Sequence, residues 1–263
     1  MIRSALMNVM TAAAIKAGRG LKRDFGEVEN LQVSMKGPGD FVSAADRKAE
    51  QVLLEELNKA RPGYSFVMEE RGRVDGPDPS HTWHVDPLDG TTNFLHGLPI
   101  FAISVALERE GHIVAGLIYN PANDDMFMAE KGQGAWHNNR RLRVSARRDI
   151  SEALVGCGIP HLGRANLHPQ FKLELAAVMA RVTNVRRLGA AALDLANVAA
   201  GRYDAFWERG LASWDVAAGI ILIREAGGYV ATIEGTEFGL TSGSICAGNE
   251  YIQKQLIDLL AKA

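Results

Sequence analysis

Trp83-His84-Val85-Asp86-Pro87-Leu88-Asp89-Gly90-Thr91-Thr92-Asn93-Phe94-Leu95-His96 is the stretch on which the reading of this chain turns. Apolar Trp83 and Val85 alternate with His84, the pattern of a strand with a buried face. Pro87 cannot donate to a sheet ladder, so the strand is expected to stop near Asp86. Asp86 and Asp89 stand three apart, and Gly90 beside them tolerates unusual dihedrals and a close backbone approach. Two carboxylates next to a turn rich in N–H groups suit a hard cation and an anion side by side. Oxygen ligands select Mg²⁺, Mn²⁺ or Ca²⁺, and N–H groups in a turn or at a helix start suit phosphate. Read alone, the stretch is equally a turn closing a strand, because Asp-Pro and Asp-Gly are common turn dipeptides.

Two other stretches weigh against the plain turn. Ser65-Phe66-Val67-Met68-Glu69-Glu70 lies upstream, and Trp214-Asp215-Val216-Ala217-Ala218-Gly219 lies far downstream and runs into Gly227-Gly228. Taken with Asp86-Pro87-Leu88-Asp89-Gly90-Thr91-Thr92-Asn93-Phe94, they resemble the inositol monophosphatase family of Mg²⁺-dependent sugar phosphatases. The resemblance runs from about Lys36 to Gly228, with the signatures in the family's order.

The 263 residues suffice for one large domain or two closely packed halves, and easily bury a core. Composition is ordinary globular, with 47% hydrophobic and 23% charged residues. A net charge of −2 gives no ground for bulk nucleic-acid binding or an anionic membrane surface. Cys157 and Cys246 are expected as two buried thiols in a reducing compartment. No signal peptide is read at the N-terminus, and the apolar run Ile220 to Ile223 is far too short to span a bilayer. A cytoplasmic protein is the expectation.

In chain order, Ile2, Leu6, Val9, Ala13 and Ala17 mark a helix over 2–24, with Gly26 as its stop. Leu31 to Met35 reads as a strand and Lys36 to Asp40 as a loop. Ser43 and Asp46 resemble a capping box opening a helix to Lys59. Ser65 to Met68 is a strand delivering Glu69 and Glu70, and residues 71–80 read as a surface loop. A meander follows: Phe101–Glu108, His112–Tyr119, Met126–Glu130 and Ala135–His137. The basic run Arg140 to Arg148 reads as a solvated face. Beyond it strands are expected at Ala153–Ile159, Thr183–Arg187, Asp204–Trp207, Tyr229–Ile233 and Ser244–Ala247. Helices are expected at Phe171–Ala180, Ala190–Ala200 and Trp214–Ala226, with a last one capped by Asn249. Sheets and helices in both parts imply a layered α+β architecture. An N-terminal α+β half over 1–145 would carry the central motif. A C-terminal α/β half over 146–263 would complete the site, the two forming one compact unit.

The resemblance adds an αβαβα sandwich with the site between the halves. It implies that Glu69, Asp86 and the Leu88 carbonyl hold one Mg²⁺, and that Asp86, Asp89 and Asp215 hold a second, with a third, weaker ion near Glu69. Read from the residues alone, Asp215 is more simply a helix cap, and it is the resemblance that makes it a metal ligand. Glu69 and Thr91 would orient and deprotonate a metal-activated water, and Gly90 and Thr91 N–H groups would hold the phosphate. Asp89, Ala191 and Glu208 would meet the alcohol, with Lys36 and Asp46 in support. A homodimer and lithium sensitivity are also implied. Two departures stand out: Met68 where the family has Gly, and Ala190 where it often has Thr.

The expected reaction is hydrolysis of a small phosphate ester, a myo-inositol monophosphate. Alternatives are fructose 1,6-bisphosphate, histidinol phosphate or an adenosine bisphosphate, for which Arg164, Arg186 and Arg187 are candidate second anchors. A third reading is a regulator contacting the transcription machinery. His81 and His84 have a zinc-like spacing, but residues three apart on a strand point to opposite faces.

Overall fold

A computed structural model describes residues 4–25, 27, 33–37 and 40–263. Helix α1 (Ala5–Phe25) buries Met7, Met10, Ala13, Ala14, Ala17 and Leu21. Leu6 and Val9, expected within the apolar stripe, lie at its half-buried edge. Gly26 and Leu31 fall outside the described residues. Strands β1 (Val33–Gly37) and β2 (Asp40–Ser43) form an antiparallel hairpin. Lys36, Gly37 and Asp40, expected in a loop, are therefore strand residues: Gly37 pairs with Asp40, and Lys36 sits at the irregularity between Met35 and Gly37.

Helix α2 (Ala44–Ala60) opens with the expected capping box. Ser43 Oγ accepts from Ala45 N–H at 3.1 Å and Asp46 Oδ2 accepts from Ser43 N–H at 2.9 Å. Strands β3 (Tyr64–Met68), β4 (Gly72–Val74) and β5 (Asp78–Asp89) follow, so residues 71–80 are not simply a loop. Nor does β5 stop at Asp86. Its register to the next strand passes from Asp86↔Ser104 to Asp89↔Ala102, one residue more on β5 than on its partner. This bulge accommodates Pro87 without asking it for a ladder bond, and it turns both aspartates toward one end of the sheet.

A single-turn helix α3 (Thr91–Leu95) leads to the meander β6 (Ala102–Arg109), β7 (His112–Asn120), β8 (Asp125–Glu130), β9 (Gly134–His137) and β10 (Arg140–Arg141). The eight-stranded sheet runs β10-β9-β8-β7-β6-β5-β3-β4, and only β3 and β5 pair in parallel. Then come β11 (Leu154–Cys157), α4 (His168–Met179), β12 (Asn184–Arg186), α5 (Ala191–Ala199), β13 (Ala205–Arg209), α6 (Ser213–Glu225), β14 (Tyr229–Ala231), β15 (Ser244–Gly248) and α7 (Glu250–Leu260). The second sheet runs β12-β11-β13-β15-β14. Glu208, expected after its strand, lies inside β13. Asn249 Oδ1 caps α7, accepting from Tyr251 and Ile252 N–H.

The layers are α1/α2, the large sheet, α5/α6, the small sheet and α4/α7, an αβαβα sandwich. Strand alternation divides the core. Ile103, Val105 and Leu107 of β6 face α1 and α2, while Ala102 and Ala106 face α5 and α6. Val216 to Ile223 of α6 are all buried, as a helix between two sheets must be. Both faces of the meander are thus covered by helices. Cys157 and Cys246 are buried free thiols, and no helix among the described residues is long and apolar enough to cross a membrane.

Candidate active site

The acids sit where elements end against one another. Glu69 follows β3, and its N–H donates to Val85 O on β5 at 3.2 Å. The next residue is anchored by α2, where buried Glu50 accepts from Glu70 N–H at 2.8 Å. The Met68 side chain, just before this loop, is wholly buried in the core against α1 and α2. Asp86 is buried, and its Oδ1 accepts from Leu88 N–H at 2.9 Å. Burial, then Glu69, Asp89 and Asp215 around it, push its carboxyl well above the ordinary range, and it shares a hydrogen bond with the Glu69 carboxyl. Asp89 reaches the start of α5, where its Oδ2 accepts from Ala192 N–H at 2.7 Å. Burial, then Asp215, raise Asp89 to about 8, against the pull of that N–H. Asp215 lies in the first turn of α6, and its Oδ2 accepts from Ala212 N–H at 2.7 Å. The cap read from sequence is therefore real, and it holds the carboxylate beside the other acids.

Gly90 has φ of 91°, and a Cβ there would stand 2.9 Å from Ile100 O and 3.2 Å from Ala190 Cβ. Only glycine lets this turn pack against Ala190. Thr91 Oγ1 lies 3.1 Å from Asp46 Oδ1 and 3.0 Å from Leu88 O, both acceptors for its one proton. Asp46 itself is fully buried and raised by burial, opposed by its bonds from Ser43. Asn93 donates to Ile100 O and Leu188 O, each at 2.8 Å, and so pins the approach to α5 against the Gly90 turn.

Glu69, Asp89, Gly90, Thr91, Ala191, Glu208 and Asp215 all line one cavity of about 340 Å³. Asp86, Leu88 and Asp46 lie just beneath it, buried. Lys36 belongs to β1, but its side chain lies outside the described residues. Glu208 stands against Gly158, where any Cβ would collide with its carboxyl. Burial, then Asp215 and Asp89, raise it to about 8.

Three lining residues were not placed by sequence. Asp194 of α5 is 1% exposed, takes a hydrogen bond from Tyr203, and has an Oδ1 without a partner. A lone acid in the small-residue helix Ala-Ala-Leu-Asp-Leu was the available signal. Arg164 and Arg187 also line the cavity, whereas Arg186 is exposed on β12. His81 and His84 go separate ways, to Asp78 at 3.0 Å and to Glu108 at 2.8 Å, so the zinc-like spacing makes no site.

The donor set fits a hard divalent cation. Two carboxyls in hydrogen-bond contact, Glu69 and Asp86, need a proton or a cation between them. All the candidate donors are oxygens, as Mg²⁺ prefers. Among the described residues, no three acidic, His or Cys side chains already converge as a closed ligand set.

A model of the inositol monophosphatase family matches residues 3–263. The inositol-1-monophosphatase of Mesorhizobium japonicum is 63% identical over 262 residues, covering 100% of this chain and 98% of the relative. Nus factor SuhB of Pseudomonas aeruginosa is 41% identical over 256 residues, covering 96% of this chain and 94% of the relative. The crystal structure of extragenic suppressor protein suhB from Bartonella henselae superposes with a TM-score of 0.96 at 56% identity, over 99% of this chain and 100% of that one.

Proposed function

The chain belongs to the inositol monophosphatase family, and from that premise we propose that it is a Mg²⁺-dependent phosphomonoesterase that hydrolyses myo-inositol monophosphates to inositol and phosphate. The observation that carries this reading is the gathering of Glu69, Asp86, Asp89 and Asp215 against the Gly90–Thr91 turn, in a cavity whose far wall holds Glu208. Glu69, Asp86, the Leu88 carbonyl, Asp89 and Asp215 would hold two to three Mg²⁺. When bound, these ions supply the charge that lowers the pKa of water and offsets the negative phosphoryl oxygens. Gly90 and Thr91 N–H groups orient the ester phosphate. Thr91 and Glu69 orient the attacking water and take its proton, with Asp46 fixing the Thr91 hydroxyl. Asp89, the backbone at Ala191 and Glu208 receive the polyol hydroxyls. The water oxygen bonds to phosphorus as the bond from phosphorus to the alcohol oxygen breaks, and that oxygen takes up a proton from solvent as inositol departs.

A second reading, a bisphosphorylated sugar as substrate, is favoured by Arg164 and Arg187 on the same wall. The test is phosphate release from inositol 1-phosphate, fructose 1,6-bisphosphate and histidinol phosphate, with Mg²⁺ and with chelator, for wild type and Asp86→Asn. The first reading expects inositol 1-phosphate to lead, Li⁺ to inhibit in competition with Mg²⁺, and both chelator and Asp86→Asn to abolish release. Asp86→Asn turnover within about tenfold of wild type would sink the two-metal reading. The relatives named Nus factor SuhB support contact with the transcription machinery as an additional role, which this assay leaves aside.

A further inference from the structure

His84 stands two residues before Asp86 and is 4% exposed, a polar ring in an otherwise apolar run. Its neighbours Trp83 and Val85 face the α1/α2 layer. By strand alternation His84 faces the opposite layer, toward α6. There it is held at both ends: Nδ1 is 2.9 Å from Ser213 Oγ, and Nε2 is 2.8 Å from Glu108 Oε2. Register explains the fit. His84 lies opposite Ala106 on β6, whose small side chain leaves room for the ring. Glu108 is two residues further along the same face.

Ser213 begins α6, two residues before Asp215. The His84–Ser213 contact therefore joins the strand that carries Asp86 and Asp89 to the helix turn that carries Asp215. A second tie reinforces it: Ser104, opposite Asp86 in the register, donates to Trp214 O at 3.2 Å. Glu108 is held below the ordinary carboxyl range, first by its bond with His84, and so anchors the far side of the ring.

A Ser–His–Glu set also suggests a nucleophile. The geometry speaks against that here. Ala212, Trp214 and Asp215 line the cavity, but Ser213 does not, and the ring beneath it is buried.

We propose that His84 is a positioning residue: through Ser213 it fixes the first turn of α6, and so sets Asp215 relative to Asp86 and Asp89. This rests on the metal-site reading above. Calorimetric titration with Mg²⁺ alone tests it, on wild type, His84→Ala, Ser213→Ala and the double variant. A wild type that binds no Mg²⁺ sinks the metal-site reading itself, and the positioning role with it. Partners behind metal ligands typically govern affinity by about tenfold or more, so His84→Ala should weaken Mg²⁺ binding about tenfold. Ser213→Ala should weaken it in the same direction. The double variant should be no weaker than His84→Ala, because both changes break one contact. kcat at saturating Mg²⁺ should stay within about threefold, the split between binding and turnover that a general loss of structure would not give. If His84→Ala does not fold, Ser213→Ala, which removes a single hydroxyl, decides the matter. Single variants that bind Mg²⁺ within about twofold of wild type, or losses that add in the double variant, would overturn the proposal.

Discussion

Glu208 illustrates how side chains far apart in sequence acquire their chemistry only when brought together. It projects from β13 against Gly158 and shares a wall with Asp194, Arg164 and Arg187. Cations held at Asp89 and Asp215 would offset the charges that raise Glu208, leaving it ionised in the loaded enzyme; if it then accepts from ring hydroxyls, removing its charge should cost roughly 1.5–3 kcal/mol, about ten- to a hundredfold in kcat/KM on inositol 1-phosphate. Glu208→Gln should therefore lose activity on that substrate by this factor, and much less on 2-glycerophosphate, which lacks those hydroxyls. Equal losses on both would make Glu208 part of the framework and remove it from the alcohol pocket. The residues Asp86, Asp89, Gly90 and Thr91 were legible because one short turn holds them all. Asp215 was ambiguous for a physical reason: its carboxylate does cap α6, and the same position serves a cap and a ligand. Arg187 and Arg186 are adjacent on the chain, yet only Arg187 lines the cavity. Which of two neighbours faces a cavity depends on packing after β12, and no periodicity records it.

Among the elements, α6 is packed to close tolerances. It lies between the sheets, and where it crosses β7 a Cβ on Gly116 would meet Ile221 Cγ2 at 2.6 Å and the Ala218 backbone at 2.9 Å. The helix backbone cannot yield without moving Asp215. Gly116→Ala should therefore destabilise the fold by about 1–3 kcal/mol, read as a lower urea midpoint, and should weaken activity as well. An unchanged midpoint would mean that the two layers are looser than these contacts imply. Most elements were legible from periodicity and punctuation, including α2 with its capping box and the strands of the meander. The misses were places where pairing overrode local signals. Pro87 marks the end of a strand by propensity, but a bulge carries β5 on to Asp89. Glycine and proline in residues 71–80 suggest loop, but β3 recruits Gly72–Val74 as an edge partner.

At the scale of the whole molecule, the homodimer that the family resemblance implies is open to a direct test: light scattering giving a mass near 28.5 kDa would refute it. The acid cluster makes a separate prediction about stability. Asp89 and Glu208 are raised to about 8, and Asp86 is raised as well, by burial and then its acidic neighbours. In the unfolded chain such carboxyls titrate near about 4. Between these values the metal-free folded protein keeps protons that the unfolded chain has released. Folded-state pKa values above the unfolded ones stabilise fully below about pH 4, and the contribution is lost as pH rises toward about 8. Hence in chelator the urea midpoint should fall between pH 6 and pH 8.5. Mg²⁺ takes the place of the protons and binds the folded state alone, so its stabilising effect should be larger at pH 8.5 than at pH 6. Unfolding curves at the two pH values, each with chelator and with Mg²⁺, give the four midpoints required. A metal-free protein equally stable at both would mean that the carboxylates are ionised in the folded state, held apart by water rather than joined by protons, and the electrostatic case for cations at this site would fail.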